Sequence, residues 1–368
     1  MINRKAIGYI TANYSSTYGS VLLKDRPIAS VPFLGRYRLI DFPLSNMMNA
    51  GIKTVGVVMP GNYRSLIDHV GSGKDWGLDR KKGGLFLMPG SAFGTSRKGP
   101  RFLLRDLIAN RVFLERDTAT NVVVSAANII YNYDYAELIR AHNESGADIT
   151  LLTKTYRCEA EDVSSVYTED GHVRGFTYGT RFGDEGFLDC FVVRREKLLE
   201  LIDRYSNVDY LDLFEALQAD LPQLDIRAHR VDIYTGTVFD ARMYYKRSRE
   251  MLDPAVIDQL FPPERTIMTK AHDNPPAKYE AGSRVTNSIV SGGCHIMGTV
   301  ADSILSRNVV VEPGATVRGC VIMTGCVIGR GARVENAIID RDNVVSAGTE
   351  LRGTPDNVLV KEKGSERE

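Results

Sequence analysis

The sequence predicts an α/β domain with a mostly parallel, Rossmann-like sheet, followed by a left-handed parallel β-helix of hexapeptide repeats. Three observations support this prediction. The chain has 368 residues, a length typical of two domains. Its first part alternates short apolar runs with amphipathic segments, which is typical of a parallel sheet covered by helices on both faces. Its last part repeats with a fixed period, which indicates a solenoid.

In the first part, continuous apolar runs predict buried strands, and amphipathic runs predict the helices between them. Strands are expected at 6–12, 54–59, 121–125, 148–154 and 226–231. Helices are expected at 38–50 (beginning near Asp41), 63–70, 133–145, 198–204, 210–221 and 244–260. Gly51 supports the end of the first helix, because glycine readily follows a helix in the left-handed conformation. Asp134 is expected to be the N-cap of a later helix.

The last part repeats every 17 residues, and five registers agree over three or more turns. The registers are Val311, Ile328 and Val345; Gly314, Gly331 and Gly348; Ala315, Ala332 and Thr349; Val300, Val317, Val334 and Leu351; and Ile304, Val321 and Ile338. Six-residue steps such as VEPGAT (311–316) lie within each period. An aliphatic residue at every sixth position predicts stacked triangular coils, of which about four fit between residues 285 and 353.

The chain is predicted to divide into an α/β domain at 1–262, a linker at 263–284, and a β-helix with a C-terminal tail at 285–368. Pro262 and Pro263 directly follow the last predicted helix, and proline does not continue a helix. The segment 273–276 reads Asp-Asn-Pro-Pro, a composition typical of a loop.

Composition narrows the class of protein. The chain has 46 Lys+Arg and 46 Asp+Glu, so it lacks the basic excess of a general nucleic-acid binder. It has no apolar run long enough to span a membrane and no signal-like start, and its five cysteines form no CxxC pair. We therefore expect a cytoplasmic protein whose cysteines are mostly buried small residues. Residues 64–111 nevertheless carry ten Lys/Arg and four Asp/Glu, which suits an anionic ligand or an acidic partner surface.

One sequence block points to a family. Residues 35–46 read GRYRLIDFPLSN, and they precede an α/β domain joined to a β-helix. Together these features resemble the ADP-glucose pyrophosphorylases (glucose-1-phosphate adenylyltransferases) over nearly the whole chain. The resemblance implies a nucleotidyltransferase-like α/β domain. It also implies the family reaction, in which ATP and glucose 1-phosphate give ADP-glucose and pyrophosphate for glycogen synthesis.

The chain departs from that family at its charged catalytic positions. Catalytic members have a glycine-rich loop ending in arginine after the first strand, but residues 13–18 here lack those glycines and Tyr18 replaces the arginine. Ile28 replaces a lysine, Ala127 replaces a Mg²⁺-binding aspartate, and Thr235 lies near the place of a second acidic ligand. The resemblance therefore implies no catalytic residues and no metal site in this chain.

Nucleotidyl transfer depends on cations placed against developing negative charge, so these losses predict a chain with little or no activity. Residues 63–76, 79–85 and 272–276 resemble the GlgD-type branch of the family, whose members are non-catalytic. That resemblance implies a regulatory subunit in a heterotetramer with a catalytic glucose-1-phosphate adenylyltransferase subunit. Mg²⁺ and ATP are then expected at the catalytic partner, and no cofactor is required by this chain. No nucleic-acid or membrane partner is expected.

Five residues are candidates for an anion site: Arg26, Arg36, Arg38, Arg64 and His69. By resemblance, Arg26 and Arg38 match positions near the family's effector site for phosphorylated metabolites, and His69 matches another less surely. Guanidinium groups suit phosphate because each can bond two oxygens at once. The alternative is that these residues form structural ion pairs where strands meet helices.

The sequence leaves other hypotheses about function open. The chain could be an active sugar-phosphate nucleotidyltransferase with a remodelled site. It could also be a hexapeptide acyltransferase or a sugar-phosphate sensor, in which case His295 would be a candidate base, although a lone histidine is more often structural. Trp76, with the basic residues that follow it, is expected in a loop or an interface.

Overall fold

A computed structural model describes residues 6–13, 21–24, 26–91, 102–157, 160–208 and 212–364. The strands of the α/β domain are β1 (Ala6–Thr11), β2 (Pro32–Phe33), β3 (Tyr37–Arg38), β4 (Thr54–Met59), β5 (Gly84–Pro89), β6 (Asn121–Ala126), β7 (Ile129–Ile130), β8 (Ile149–Thr155), β9 (Ala160–Glu169), β10 (His172–Thr180), β11 (Glu185–Arg194), β12 (Ile226–Arg230) and β13 (Gly236–Thr237).

Nine of these strands form one sheet, in the order β5-β4-β1-β6-β11-β8-β12-β10-β9. Strands β5, β4, β1 and β6 are parallel, as their continuous apolar sequences predict. Strand β11 is antiparallel to both β6 and β8, whereas β12 is parallel to β8. The predicted mostly parallel sheet is therefore confirmed on one side, and the other side is mixed.

The sequence analysis predicts no strand between residues 160 and 194, where the structure has β9, β10 and β11. Strands β9 and β10 are antiparallel neighbours joined at Asp170 and Gly171, whose φ angles are 50° and 78°. An Asp-Gly pair with positive φ is the usual turn of a tight hairpin. The Asp-Gly dipeptide is the sequence signal for this hairpin. Continuous apolar runs do not reveal it, because β10 is largely polar and half exposed.

The helices are α1 (Asp41–Asn49), α2 (Arg64–Val70), α3 (Leu104–Ala109), α4 (Arg111–Glu115), α5 (Tyr135–Ser145), α6 (Arg195–Arg204), α7 (Leu213–Asp220), α8 (Ala241–Glu250) and α9 (Pro254–Leu260). The Asp134 side chain accepts a hydrogen bond from the Ala136 N–H, so the predicted N-cap is confirmed. The single helix predicted at 244–260 is wrong: Asp253 and Pro254 begin a second helix there. Among the residues that the structure describes, no helix is long and apolar enough to cross a bilayer.

The C-terminal strands are β14 (Lys278–Tyr279), β15 (Arg284–Thr286), β16 (Ile289–Val290), β17 (His295–Ile296), β18 (Thr299–Ala301), β19 (Ile304–Leu305), β20 (Val310–Val311), β21 (Thr316–Arg318), β22 (Val321–Ile322), β23 (Val327–Ile328), β24 (Arg333–Glu335), β25 (Ala337–Ile339), β26 (Val344–Val345), β27 (Glu350–Arg352) and β28 (Leu359–Lys361). They form three parallel sheets of five strands each. Strand β14 lies within the segment predicted as the linker.

Part of the predicted 17-residue repeat stacks inside this β-helix, but the register of Ile304, Val321 and Ile338 packs on the α/β domain instead, because the neighbouring residues of those strands fill the interior. Ile296, Val311, Ile328 and Val345 are paired in register on consecutive coils and are almost completely buried. Three cysteines of the β-helix and Cys190 of the sheet are free and buried, as predicted for small core residues. Cys158 lies outside the described residues.

The β-helix packs directly on the α/β domain. A shared apolar cluster joins Phe33, Phe42 and Tyr244 of the α/β domain to Ile304 and Ile338 of the β-helix. The connecting segment is also hydrogen-bonded to the α/β domain: the Asn132 amide donates to the Arg265 carbonyl, and Ser45 bonds Met268. The two parts are therefore fixed against each other by a common core.

Candidate functional site

At the carboxyl ends of the parallel strands, three polar groups bond one another. The Asn13 amide, two residues after the end of β1, donates to Asp106 Oδ2 at 2.8 Å, and the Ser91 N–H donates to Asp106 Oδ1 at 2.6 Å. Gly90 lies against the Asn13 side chain so closely that an added Cβ would be 2.6 Å from it. Ligands of doubly wound sheets bind at this edge, and here these side chains are already hydrogen-bonded within the protein.

Two of the positions that replace charged residues are apolar and buried. Ile28 is 6% exposed and lies in the cluster shared with the β-helix. Ala127 is fully buried at the end of β6, where its N–H donates to the Thr11 carbonyl. A methyl group and a sec-butyl side chain supply neither a cation nor an oxygen ligand. Tyr18 lies outside the described residues.

The structure does not place Ala127 and Thr235 opposite each other. Strands β7 and β13 are antiparallel and pair Ile129 with Thr237, so residues before one strand diverge from those before the other. Next to Thr235, the Tyr234 hydroxyl donates to Glu250 Oε2 at 2.7 Å. The described residues include no group of three His, Cys, Asp or Glu side chains able to hold a metal ion. Neither Ala127 nor Thr235 offers a carboxylate oxygen of the kind that Mg²⁺ prefers.

Two of the predicted anion-binding residues are held by carboxylates. Arg26 is 3% exposed, and one of its terminal nitrogens bonds both oxygens of Asp340 in the β-helix, at 2.8 and 2.7 Å. His69 Nε2 lies 2.6 Å from Asp41 Oδ1, and its ring meets Trp76 edge-on. For Arg26 and His69, these contacts fit structural pairing with a carboxylate better than they fit an anion site.

Arg36 and Arg38 lie where the β2–β3 turn meets the β-helix. Arg38 donates to the Ser65 carbonyl at 2.6 Å, and Arg307 of the β-helix donates to the Gly35 and Arg36 carbonyls. Burial, followed by the nearby charge of Arg341, lowers the pKa of Arg38 to about 10, against the opposing effect of Asp41.

Basic side chains from three parts of the chain therefore converge. We call Arg36, Arg38, His272, Arg307 and Arg341 the junction cluster. Burial, followed by repulsion from Arg307, lowers the pKa of His272, and burial and repulsion from Arg36 lower that of Arg307. Arg64, by contrast, is exposed at the start of α2.

Sequence reasoning missed Arg307 and Arg341 because they lie on β-helix coils far along the chain from Arg38. Only the packing of the coils on the β2–β3 turn brings these guanidinium groups together. His272 lies in a segment that the resemblance did single out, although not for its charge.

His295 lies on the first coils of the β-helix. Its Nε2 is 2.8 Å from Glu280 Oε1, and Lys278 contacts the same oxygen at 2.6 Å. Lys278, followed by His295, lowers the pKa of Glu280. This surface ion cluster supports the structural reading of His295 over that of an acyltransferase base.

Comparison with known proteins agrees with this architecture. The Nucleotidyl transferase family matches residues 22–164, and the GlmU-like C-terminal hexapeptide family matches residues 275–356. Glycogen biosynthesis protein GlgD of Bacillus subtilis is 32% identical over 99% of this chain and 97% of its own length. GlgD of Geobacillus stearothermophilus is 33% identical over 86% and 84%, and glucose-1-phosphate adenylyltransferase of Thermomicrobium roseum is 31% identical over 92% and 81%.

The fold and these matches define a nucleotidyltransferase-type α/β domain that carries a left-handed hexapeptide β-helix. Within that class, the chain belongs to the glucose-1-phosphate adenylyltransferase family, in its GlgD branch. The resemblance of residues 35–46 and the predicted fold class are thereby confirmed.

Proposed function

We propose that this chain is a regulatory subunit of glucose-1-phosphate adenylyltransferase in glycogen biosynthesis, and that it has little or no activity of its own. The observation that carries the proposal is the burial of Ile28 and Ala127 in apolar surroundings where catalytic relatives place charge. Charge stabilisation by cations supplies most of the catalysis of phosphoryl-type transfer, so their absence removes its main source.

The partner in this proposal is the catalytic subunit of the same family, joined in a heterotetramer. Mg²⁺ and ATP act at that partner's site, and this chain requires no cofactor. The bonds among Asn13, Ser91 and Asp106 support this division of roles, because they use the polar groups at the edge where a nucleotide would enter.

The regulatory ligand in this proposal is a phosphorylated metabolite bound at the junction cluster. The repulsion that Arg341 and Arg307 exert on Arg38 supports it, since an anion placed among them would relieve that repulsion. The Arg341 Nε is buried and makes no hydrogen bond within the described ranges. A ligand there would touch both the α/β domain and the β-helix.

The test measures ADP-glucose formation by this chain alone, by the catalytic subunit alone, and by both co-expressed. We expect no turnover above background from this chain, a stable hetero-oligomer on co-expression, and a changed maximal rate or effector response.

Arg38→Gln should raise the effector concentration needed for half-maximal response, whereas Arg333→Gln, on a solvent-facing sheet of the β-helix, should not. Turnover by this chain alone that Asp106→Asn abolishes would instead support an active, remodelled transferase.

A further inference from the structure

The loop that precedes the β-helix is fixed to the α/β domain beside His272. The Lys270 side chain donates to the Asp68 carbonyl of α2 at 2.6 Å, and the Ala271 N–H donates to Asp75 Oδ1 at 3.3 Å. These two bonds hold the residues directly before His272 against α2 and the turn that follows it. The His272 side chain itself is exposed to solvent.

The groups that act most strongly on the charge of His272 are basic. They come from four parts of the fold: Arg38 of β3, His69 of α2, Lys270 of the same loop, and Arg307 of the β-helix. Partial burial, followed by repulsion from Arg307 and then from the other three groups, lowers the pKa of His272. In these surroundings the uncharged form of the ring is favoured.

Carboxylates on the same elements do not offset this positive field at the ring. They belong to Asp41, Asp68, Asp75 and Asp273. Asp41 is fully buried and bonds His69 Nε2 at 2.6 Å, and Asp75 bonds the loop backbone. Within the part of the chain that the structure describes, none of the four forms an ion pair with His272.

We propose that His272 takes up a proton when an anion binds the junction cluster, so that the anion binds more tightly as the pH falls. This inference rests on the anion site proposed above. A negative charge placed among these basic groups opposes their field at the ring and favours the imidazolium form. By linkage, the proton strengthens anion binding by the same factor as the anion strengthens proton binding.

The other basic groups of this region do not change charge with the anion. Arg38 has a pKa of about 10, and an arginine stays protonated near neutral pH. His69 has Asp41 as its hydrogen-bond partner whether or not an anion is present. His272 is therefore the group whose proton the anion controls. A single linked proton changes the affinity by at most about tenfold per pH unit.

The test titrates the purified chain with sulfate by isothermal calorimetry at constant ionic strength, between about pH 8 and about pH 6, where histidine changes charge. Sulfate is a suitable probe because its own charge is constant in this range. We expect the sulfate affinity of the wild-type chain to rise as the pH falls, by at most about tenfold per pH unit. Buffers of different ionisation enthalpy should show a proton taken up with the anion.

His272→Gln should bind sulfate with an affinity that varies less with pH, since glutamine cannot take up the proton. The matched control is His295→Gln, which removes a β-helix histidine outside the junction cluster and should keep the wild-type pH dependence. In proton NMR spectra, the ring signal of His272 is assigned by its loss in His272→Gln. Saturating sulfate should raise the pKa that this signal reports.

Arg38→Gln should weaken sulfate binding at every pH, which assigns the sulfate to the junction cluster, and circular dichroism should show that all variants remain folded. If sulfate binds at the cluster with the same pH dependence in wild type and His272→Gln, this inference is overturned and the anion site stands. Equal sulfate affinities of wild type and Arg38→Gln would overturn the anion site together with this inference.

Discussion

At the scale of single residues, buried apolar side chains occupy two positions where the family pattern has charged side chains. Ala127 is fully buried at the end of a central strand, and Ile28 packs where the α/β domain meets the β-helix. An aspartate at 127 would enter an apolar site without a cation, which costs several kcal/mol. Single reversions are therefore expected to destabilise the fold before they restore any ligand.

The sequence showed which charged residues are present but not what they contact. Arg26 is separated from Asp340 by 314 positions, and His69 from Asp41 by 28. Both separations along the sequence are too long to lie within one helix or strand, so no local pattern could pair these residues. By contrast, Asp134 was predicted correctly because an N-cap is defined by its immediate neighbours.

The burial of His142 predicts that the folded protein loses stability as the pH falls. His142 is 1% exposed on α5, with its Nδ1 2.9 Å from Thr150 Oγ1, and burial lowers its pKa to about 4. The unfolded chain therefore takes up this proton near pH 6.5 and the folded protein only near pH 4, so stability falls as the pH drops between those values. The loss amounts to about 3 kcal/mol.

Urea unfolding of wild type and His142→Gln, from pH 7 to pH 4, measures this effect. The variant cannot take up the proton, so its stability should fall less over that interval. Parallel pH profiles for the two proteins would contradict the assignment.

At the scale of elements, the β-helix turns at three columns of left-handed residues. One column is Asn287, Asp302, Gly319 and Asn336; the second is Gly293, Asn308, Gly325 and Asp342; the third includes Gly314, Gly331 and Gly348; all of them have positive φ. The sequence analysis identified the third column as a register of glycines. It missed the other two because Asn and Asp, which tolerate this conformation best after glycine, are mixed into them.

These corners predict that different substitutions at Gly331 lower stability by different amounts. The φ of Gly331 is 68°, and there is open space around the site of a Cβ. Gly331→Ala should lower the free energy of unfolding by about 1–2 kcal/mol, because only backbone strain opposes it. Gly331→Asn should cost less, since asparagine occupies equivalent corners in this chain. Urea midpoints of both variants test the order, and an equal loss for the two would contradict it.

At the scale of the whole molecule, one buried ion pair joins the two domains. Arg26 comes from the segment between β1 and β2, and Asp340 follows β25 on the β-helix. The side chains of both residues are at most 4% exposed, and the shared apolar cluster includes Met323, which also contacts Arg26. Removing one member of such a pair leaves a buried charge without its partner.

Arg26→Met should therefore lower the free energy of unfolding by about 3–5 kcal/mol. The double variant Arg26→Met with Asp340→Asn should lose less than the sum of its single changes, because it leaves no unpaired charge and keeps an oxygen for the Arg341 N–H. Lys24→Met is the matched control: Lys24 and Glu362 also join the two domains, but their side chains are 68% and 58% exposed. Exposed pairs contribute about 0–1 kcal/mol, so a loss for Arg26→Met no larger than for Lys24→Met would show that the shared apolar cluster alone holds the domains together.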